Sequence, residues 1–442
     1  MDYVLIKNGK VVVGEELMIK DVLIGNDKVI LVEDKIERPD PETPVIDAGE
    51  KWLMPGAIDT HILFSELIDD ADRALKRFNQ TQVLCGTTTL LEPLFPKFSF
   101  AYQEELEYKK QINYGILADY GFHLSFQDWK LFGVDDLRYV YSHEGIASLY
   151  LQWPLRSESE GREVKVLLKT AAAYDILVFV ELREIENTSP GFAREADETR
   201  ESIAEHFQHL KSVMELAVAT GCRICILNIS FKEEVEMIIP FLDSGLVYAE
   251  LMIPYHIGTS EQIMVDDDAN FSGFPMDDKL NLIAVDEIWA MLKHDTFLLS
   301  RPLLKLSEHG VMKEGQVDNR PDEYFLLKNF LSVLYTVGVQ SGQINFNEMV
   351  DIIAQRIARL TGLYPQKGVV RVGADADLVI WDPHFKRNLY CHFPSKDFSQ
   401  ANSFMLEGRV EFVFIKGQMA YNGESFSDED IKGRYLYRSP SL

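Results

Sequence analysis

A chain of 442 residues with 46% hydrophobic and 26% charged residues can bury a large core, and one enzyme-sized barrel with a smaller companion domain fits this length better than three independent domains. The formal net charge of −26 disfavours nucleic acid and anionic membranes as partners, because both need clustered Lys and Arg. No run approaches the ~18 consecutive apolar residues of a membrane span, the N-terminus lacks the apolar core of a secretory signal, and four cysteines argue against a disulfide framework, so a soluble, cytoplasmic protein is expected.

In chain order, residues 3–46 alternate apolar and polar, with turn signals at Asn8-Gly9 and Gly25-Asn26-Asp27, the pattern of a small antiparallel sheet. The pattern then changes to strands alternating with amphipathic helices. Residues 83–91, 117–124, 146–151, 176–181 and 223–230 read as strands, and 202–220 and 346–360 read as helices. Repeated βα units of this size imply a parallel sheet. No Gly-rich phosphate loop stands at a strand-to-helix turn, which lowers the nucleotide-binding alternatives. Cys222 and Cys225 lie inside an apolar, strand-like run and are read as core, since a redox pair would sit at a helix start. Asp266-Asp267-Asp268 and Asp277-Asp278 are read as solvated loop charge in preference to a calcium site. Sheet character returns over residues 368–423.

Two stretches carry a family likeness. Met54-Pro55-Gly56-Ala57-Ile58-Asp59-Thr60-His61-Ile62-Leu63 resembles a Pro-Gly-x-Ile-Asp turn leading into a metal-binding strand. Lys367-Gly368 through Gly373-Ala374-Asp375-Ala376-Asp377-Leu378 strongly resembles the Gly-x-Asp-Ala-Asp-Leu run of the amidohydrolase superfamily. Within that superfamily the likeness is to the cyclic amidases: dihydroorotases, dihydropyrimidinases (hydantoinases) and allantoinases. The resemblance implies a (β/α)8 barrel over residues 55–345 and a small β-sandwich built from both chain ends. Residues 1–54 would supply its first strands, and residues 346–442 a C-terminal helix and the remaining strands.

In that branch two divalent ions are held by His-x-His on the first strand, a bridging carboxylated Lys, two further His and an Asp that also serves as base. The ions lower the pKa of a bound water and polarise the amide carbonyl. Carried onto this chain, only His61 survives. Leu63 stands at the second imidazole place, Tyr150 at the bridging lysine, Glu181 and Asn228 at the later histidines, and neither Ser300 nor Arg301 supplies the Asp. Ser65 replaces the Arg that clamps a dihydroorotate carboxylate, so dihydroorotate is a poor candidate substrate. The candidate pocket is therefore His61, Asp59, Tyr150, Glu181, Arg183, Asn228 and His123. Glu181 with Arg183 is read as an ion pair at the barrel mouth, His123 as a supporting or core histidine, and His256 as packed against the mouth.

Two functions follow. The first is a catalytically silent homologue serving as scaffold, partner subunit or ligand-binding barrel, with an aspartate transcarbamoylase as the family precedent for a partner and no cofactor. The second is an active hydrolase of cyclic amide C–N bonds, of the kind found in pyrimidine metabolism, using zinc or another divalent metal on a degenerate site at His61, or none. A small cyclic amide or ureide is the expected ligand in either case, and a homo-oligomer is usual in this branch.

Overall fold

The computed structural model describes residues 3–13, 16–62, 71–95, 101–112, 115–125, 133–155, 158–182, 202–252, 281, 283–299, 329–391, 402–427 and 431–439. The N-terminal strands are β1 (Tyr3–Val13), β2 (Glu16–Gly25), β3 (Lys28–Glu33), β4 (Val45–Asp47) and β5 (Trp52–Pro55). A second set follows: β6 (Ala57–Asp59), β7 (Thr87–Leu94), β8 (Asp119–Ser125), β9 (Ser148–Trp153), β10 (Leu177–Leu182), β11 (Ile224–Ile229), β12 (Val247–Leu251) and β13 (Phe297–Leu299). The chain closes with β14 (Leu378–Cys391), β15 (Asn402–Ile415) and β16 (Gln418–Tyr421).

Strands β6 to β13 pair in parallel and in chain order, each neighbour hydrogen-bonded to the next. Helices separate them, as a parallel ladder requires. One of these, α1 (Ile203–Thr220) in the β10–β11 connection, shows why such a segment is helical. Ser202 accepts from the Glu205 N–H while the Glu205 carboxylate accepts from Ser202, and Gly221 ends the helix at φ 72°, satisfying groups that both helix ends leave open.

Along β10 the side chains alternate. Val178 and Val180 pack into the helical layer, whereas Leu177 and Phe179 join Ile58, Leu91, Tyr150, Cys225, Leu227 and Leu298 in a separate apolar cluster that fills the barrel interior. Among the described residues no ladder joins β13 back to β6. The π-helical segment Asp351–Gln355 packs against both strands there, and the next residue, Arg356, donates to the carbonyls of His294 and Phe297. The helical run 346–360, which the sequence groups with the sandwich strands, thus sits along the barrel seam.

The other sheet runs β16-β15-β14-β5-β1-β2-β3, with β4 beside β1. It joins residues from both chain ends through the antiparallel β14–β5 ladder, giving the barrel-plus-sandwich architecture that the family likeness implies. Two local expectations fail for identifiable reasons. Asn8-Gly9 is not a turn: β1 runs through it as a bulge, with Asn8 at φ 55° and its N–H donating to Asp21. Residues 83–86 are not strand: Val83 and Leu84 finish the helix Ala71–Leu84, and Gly86 at φ 64° turns the chain into β7. The Gly25-Asn26-Asp27 signal does form the β2–β3 turn, with Asn26 at φ 56°.

Cys85, Cys222 and Cys225 are buried free thiols, and burial pushes the Cys222 thiol up to about 12, so the Cys-x-x-Cys pair behaves as core. Among the described residues no helix is long and apolar enough to cross a membrane.

The two units meet at a buried charge cluster. The Lys367 ammonium lies 2.5 Å from Asp119 Oδ2 and 3.0 Å from Asp375 Oδ2, and also bonds Asp377. Asp119 begins β8 of the barrel, whereas Asp375 and Asp377 belong to the segment leading into β14. Arg434 adds a second cation, 2.5 Å from Asp375 and 2.6 Å from Asp27, and Lys28 bonds Asp375 as well. Burial opposes the charge on Lys367, but the three carboxylates hold its pKa above the ordinary lysine value. Against the upward pull of burial, Lys367 and its neighbours hold Asp375 below its ordinary 3.8; its stabilising share is therefore complete above pH 3.8 and is lost as pH falls through the lowered value. Replacing Lys367 by Met strands these carboxylates without their central cation, so we expect a loss of about 3–5 kcal/mol at neutral pH. Urea denaturation should show the loss shrinking as acid protonates them, and a pH-independent loss would contradict this account.

Candidate active site at the barrel mouth

Residues at the C-terminal ends of the strands define the site. His61 follows β6, and its side chain is only 10% exposed. Both ring nitrogens are buried without a hydrogen-bond partner among the described residues, and burial pushes the imidazole down to about 3. Glu250, on β12 and 2% exposed, brings Oε2 to 3.7 Å from His61 Nδ1. With the ring neutral this is a polar approach and not an ion pair. The Thr60 hydroxyl also donates to Glu250 Oε2, at 3.4 Å.

Tyr150 projects inward from β9, its ring centre 5.6 Å from that of His61. Its phenol lies near Glu181, and burial, then the Glu181 charge, pushes its pKa well above 10, so the phenol keeps its proton. Glu181 ends β10 half-buried and accepts from Gln152 Nε2 at 3.4 Å. Phe179, 5.6 Å from the His61 ring centre, and Phe95, 5.4 Å from Tyr150, supply aromatic walls.

The remaining candidates hold supporting positions. His123 on β8 is fully buried, with Nδ1 2.5 Å from Ser148 Oγ and Nε2 3.0 Å from the Thr60 carbonyl. Asp59 accepts from the His61 N–H at 3.1 Å and so shapes the turn on which His61 rides. Asn228 is half-buried near the end of β11 at φ 61°, a left-handed conformation that Asn tolerates better than most residues. Arg183, Leu63, Ser65, His256, Ser300, Arg301 and the acidic clusters at 266–268 and 277–278 lie outside the described residues.

The structure thus joins His61, Tyr150 and Glu181, seats them over Asp59 and His123, and adds a residue that sequence reasoning missed. The missed carboxylate is Glu250. Its signal was available, since Val247-Tyr248-Ala249-Glu250-Leu251 is a strand-like run with one acid near its C-terminal end, where barrel enzymes carry function.

Three metal-type donors within an ion's reach occur, among the described residues, only at Asp119, Asp375 and Asp377. That place is filled by the Lys367 ammonium and lies at the junction of the two units. Among the described residues of the mouth, His61, Glu181 and Glu250 do not bring three donor atoms within one ion's reach, and a protonated phenol at Tyr150 and an amide at Asn228 are poor ligands for a two-metal centre.

Comparison with known proteins agrees with this architecture. The amidohydrolase family model matches residues 312–420. The D-hydantoinase of Geobacillus stearothermophilus is 24% identical over 469 aligned positions, covering 98% of this chain and 96% of that protein. A D-phenylhydantoinase of Escherichia coli is 24% identical over 462, covering 99% and 98%. The solved dihydropyrimidinase of Brevibacillus agri superposes with a TM-score of 0.74 at 22% identity, over 100% of this chain and 99% of that one.

A parallel barrel joined to a sandwich made from both chain ends is the fold this chain shares with that structure. The family match over residues 312–420 and the full-length likeness to hydantoinases support the likeness to the amidohydrolase superfamily and its cyclic-amidase branch.

Because burial holds His61 below its ordinary 6.5, its stabilising share is complete above pH 6.5 and declines only as pH falls toward the lowered value. Histidine nitrogen spectra should therefore show no titration of His61 between about pH 5 and 8, the window of an ordinary imidazole. A midpoint near that of a free histidine would refute the buried, neutral ring.

Proposed function

We propose that this protein is a ligand-binding member of the cyclic-amidase branch that has lost two-metal hydrolysis. It takes a small cyclic amide or ureide into the mouth between His61, Tyr150, Glu181 and Glu250. The observation that carries the reading is a buried phenol, Tyr150, packed 5.6 Å from the His61 ring at the barrel mouth. Where the family likeness places a bridging carboxylated lysine, this chain has a phenol, and the residue in a histidine place is a carboxylate that accepts from Gln152. A phenol cannot be carboxylated. The same groups suit a planar ring with N–H donors and carbonyl acceptors, because carboxylates accept from its N–H groups, the phenol and His61 face its carbonyls, and Phe95 and Phe179 flank its plane.

A second reading, hydrolysis with one metal or none, is favoured by His61, a neutral imidazole beside Glu250 that could accept a proton from water. A ring pushed down to about 3 is too weak a base for that task at neutral pH, so the first reading is preferred. A scaffold or subunit role, in a homo-oligomer or beside an aspartate transcarbamoylase, is compatible with the same loss of metal chemistry.

Protein purified without chelator should hold substoichiometric zinc, manganese or iron, and should leave hydantoin and dihydrouracil unhydrolysed when those metals are supplied. Two tightly held ions with turnover would overturn the proposal. Restoring donors tests placement as well as loss. Leu63→His, Tyr150→Lys, Asn228→His and Glu181→His should raise metal uptake stepwise, while amidase activity stays low because neither Ser300 nor Arg301 can act as a carboxylate base. If the combined variant folds and binds no more metal than the parent, the assignment of these positions to former ligands is wrong.

A further inference from the structure

We infer that the C-terminal segment 431–439 is a built part of the barrel interior, and that its Arg438 is a positioning residue which, through Ser148 and His123, holds the Thr60 carbonyl and so the seat of His61.

The segment is threaded against the barrel by main-chain bonds. Gly433 N–H donates to Ile116 O at 2.7 Å, Tyr120 N–H to Arg434 O at 3.0 Å, Leu436 N–H to Tyr120 O at 2.7 Å, and Arg438 N–H to Gly145 O at 2.9 Å. The barrel makes room for it. A Cβ on Gly145, which sits at φ 65°, would lie 2.6 Å from Tyr437 Cα, and one on Gly433 would lie 1.8 Å from Ala118 O; no real side chain occupies either distance. Leu436 enters the apolar cluster that fills the barrel.

Arg438 follows it inward and is 2% exposed. Its guanidinium donates to the Phe122 carbonyl, to the Thr361 carbonyl at 3.3 Å and to Ser148 Oγ at 2.8 Å. Among the described residues it has no carboxylate partner. Burying an unpaired cation is unfavourable, and an apolar side chain would fill the space more stably. The polar contacts therefore need an account beyond packing.

The account comes from donor and acceptor rules. A guanidinium only donates, so Ser148 Oγ accepts from Arg438 and its own proton turns to His123 Nδ1, 2.5 Å away. Nδ1 is then the acceptor of a neutral ring, which burial holds well below 6.5. The ring proton sits on Nε2 and is donated to the Thr60 carbonyl at 3.0 Å. Thr60 in turn reaches Glu250 through its hydroxyl and precedes His61 in the chain. One cation at the chain's end thus sets the direction of each bond up to the mouth. Without it, the Ser148 hydroxyl is free to turn, His123 can take either tautomer, and the Thr60 carbonyl loses a committed donor.

The test uses the full-length protein labelled with nitrogen-15 in its histidines, with His123→Gln to assign the ring. In the parent, His123 should show one protonated and one bare nitrogen, the proton on Nε2. Arg438→Met and Ser148→Ala should each abolish that asymmetry, moving both nitrogens toward averaged positions and shifting the His61 signals with them. Arg438→Lys, which keeps a donor, should restore the single tautomer, a rescue that a space-filling role would not give. A folded Arg438→Met protein with unchanged His123 and His61 signals overturns the inference, as does a parent ring protonated on Nδ1. If Arg438→Met does not fold, unchanged signals in Ser148→Ala overturn it alone. None of these readouts uses metal or turnover, so they stand or fall independently of the proposed function.

Discussion

Lys367 inserts one ammonium among three carboxylates drawn from two structural units, and the relation of barrel to sandwich rests on that contact. Asp119 opens a barrel strand, while Asp375 and Asp377 lie in the turn that leads into β14. Because a buried carboxylate without a cation is costly, none of the three can leave without exposing the others. Arg434 pairs with Asp375 and Asp27, and its backbone N–H bonds Asp119. The N-terminal strands, the barrel and the C-terminal segment therefore share one charge cluster. The Gly-x-Asp-Ala-Asp motif is thus a structural device: its acids face a lysine, and no metal is needed to account for them.

The barrel mouth gathers side chains from several strand ends. Gln152 bonds Glu181 near the Tyr150 phenol, Thr60 bonds Glu250, and His61 is left neutral beside that carboxylate. The described mouth is a set of polar groups with aromatic walls, in which the His61 ring nitrogens have no hydrogen-bond partner among the described residues. Such a set can still present donors and acceptors to a small planar ligand, since recognition needs fewer converging groups than activation of water does.

Support for the mouth comes from the barrel's other end. The column from Arg438 through Ser148 and His123 to Thr60 crosses the interior beside the apolar cluster of Leu91, Phe179 and Leu227. Buried hydrogen bonds of this kind gain strength from low local dielectric only when every member is satisfied. That requirement gives the C-terminal segment a stake in the first barrel strand.

The sequence alone determined the architecture. Period-two alternation at the ends, repeated βα units between them and the Gly373-Ala374-Asp375-Ala376-Asp377 run were enough for a barrel with a two-ended sandwich. The family likeness, carried onto the sequence, sets Leu63, Tyr150 and Asn228 at places where it implies imidazoles or lysine, an assignment the donor-restoring variants test. Local signals failed where a longer element overrode them: Asn8-Gly9 became a bulge because β1 continues to pair with β2 beyond it, and the 83–86 run became a helix end because Gly86 supplies the turn. Tertiary structure alone decided the partners. Glu250 lies 189 residues from His61 and Arg438 lies 290 from Ser148, and no periodicity or spacing encodes which distant acid or arginine will face a given imidazole. Closing a parallel barrel brings strand ends together whatever their separation in the chain, so the site's chemistry is set by geometry that one-dimensional patterns do not carry.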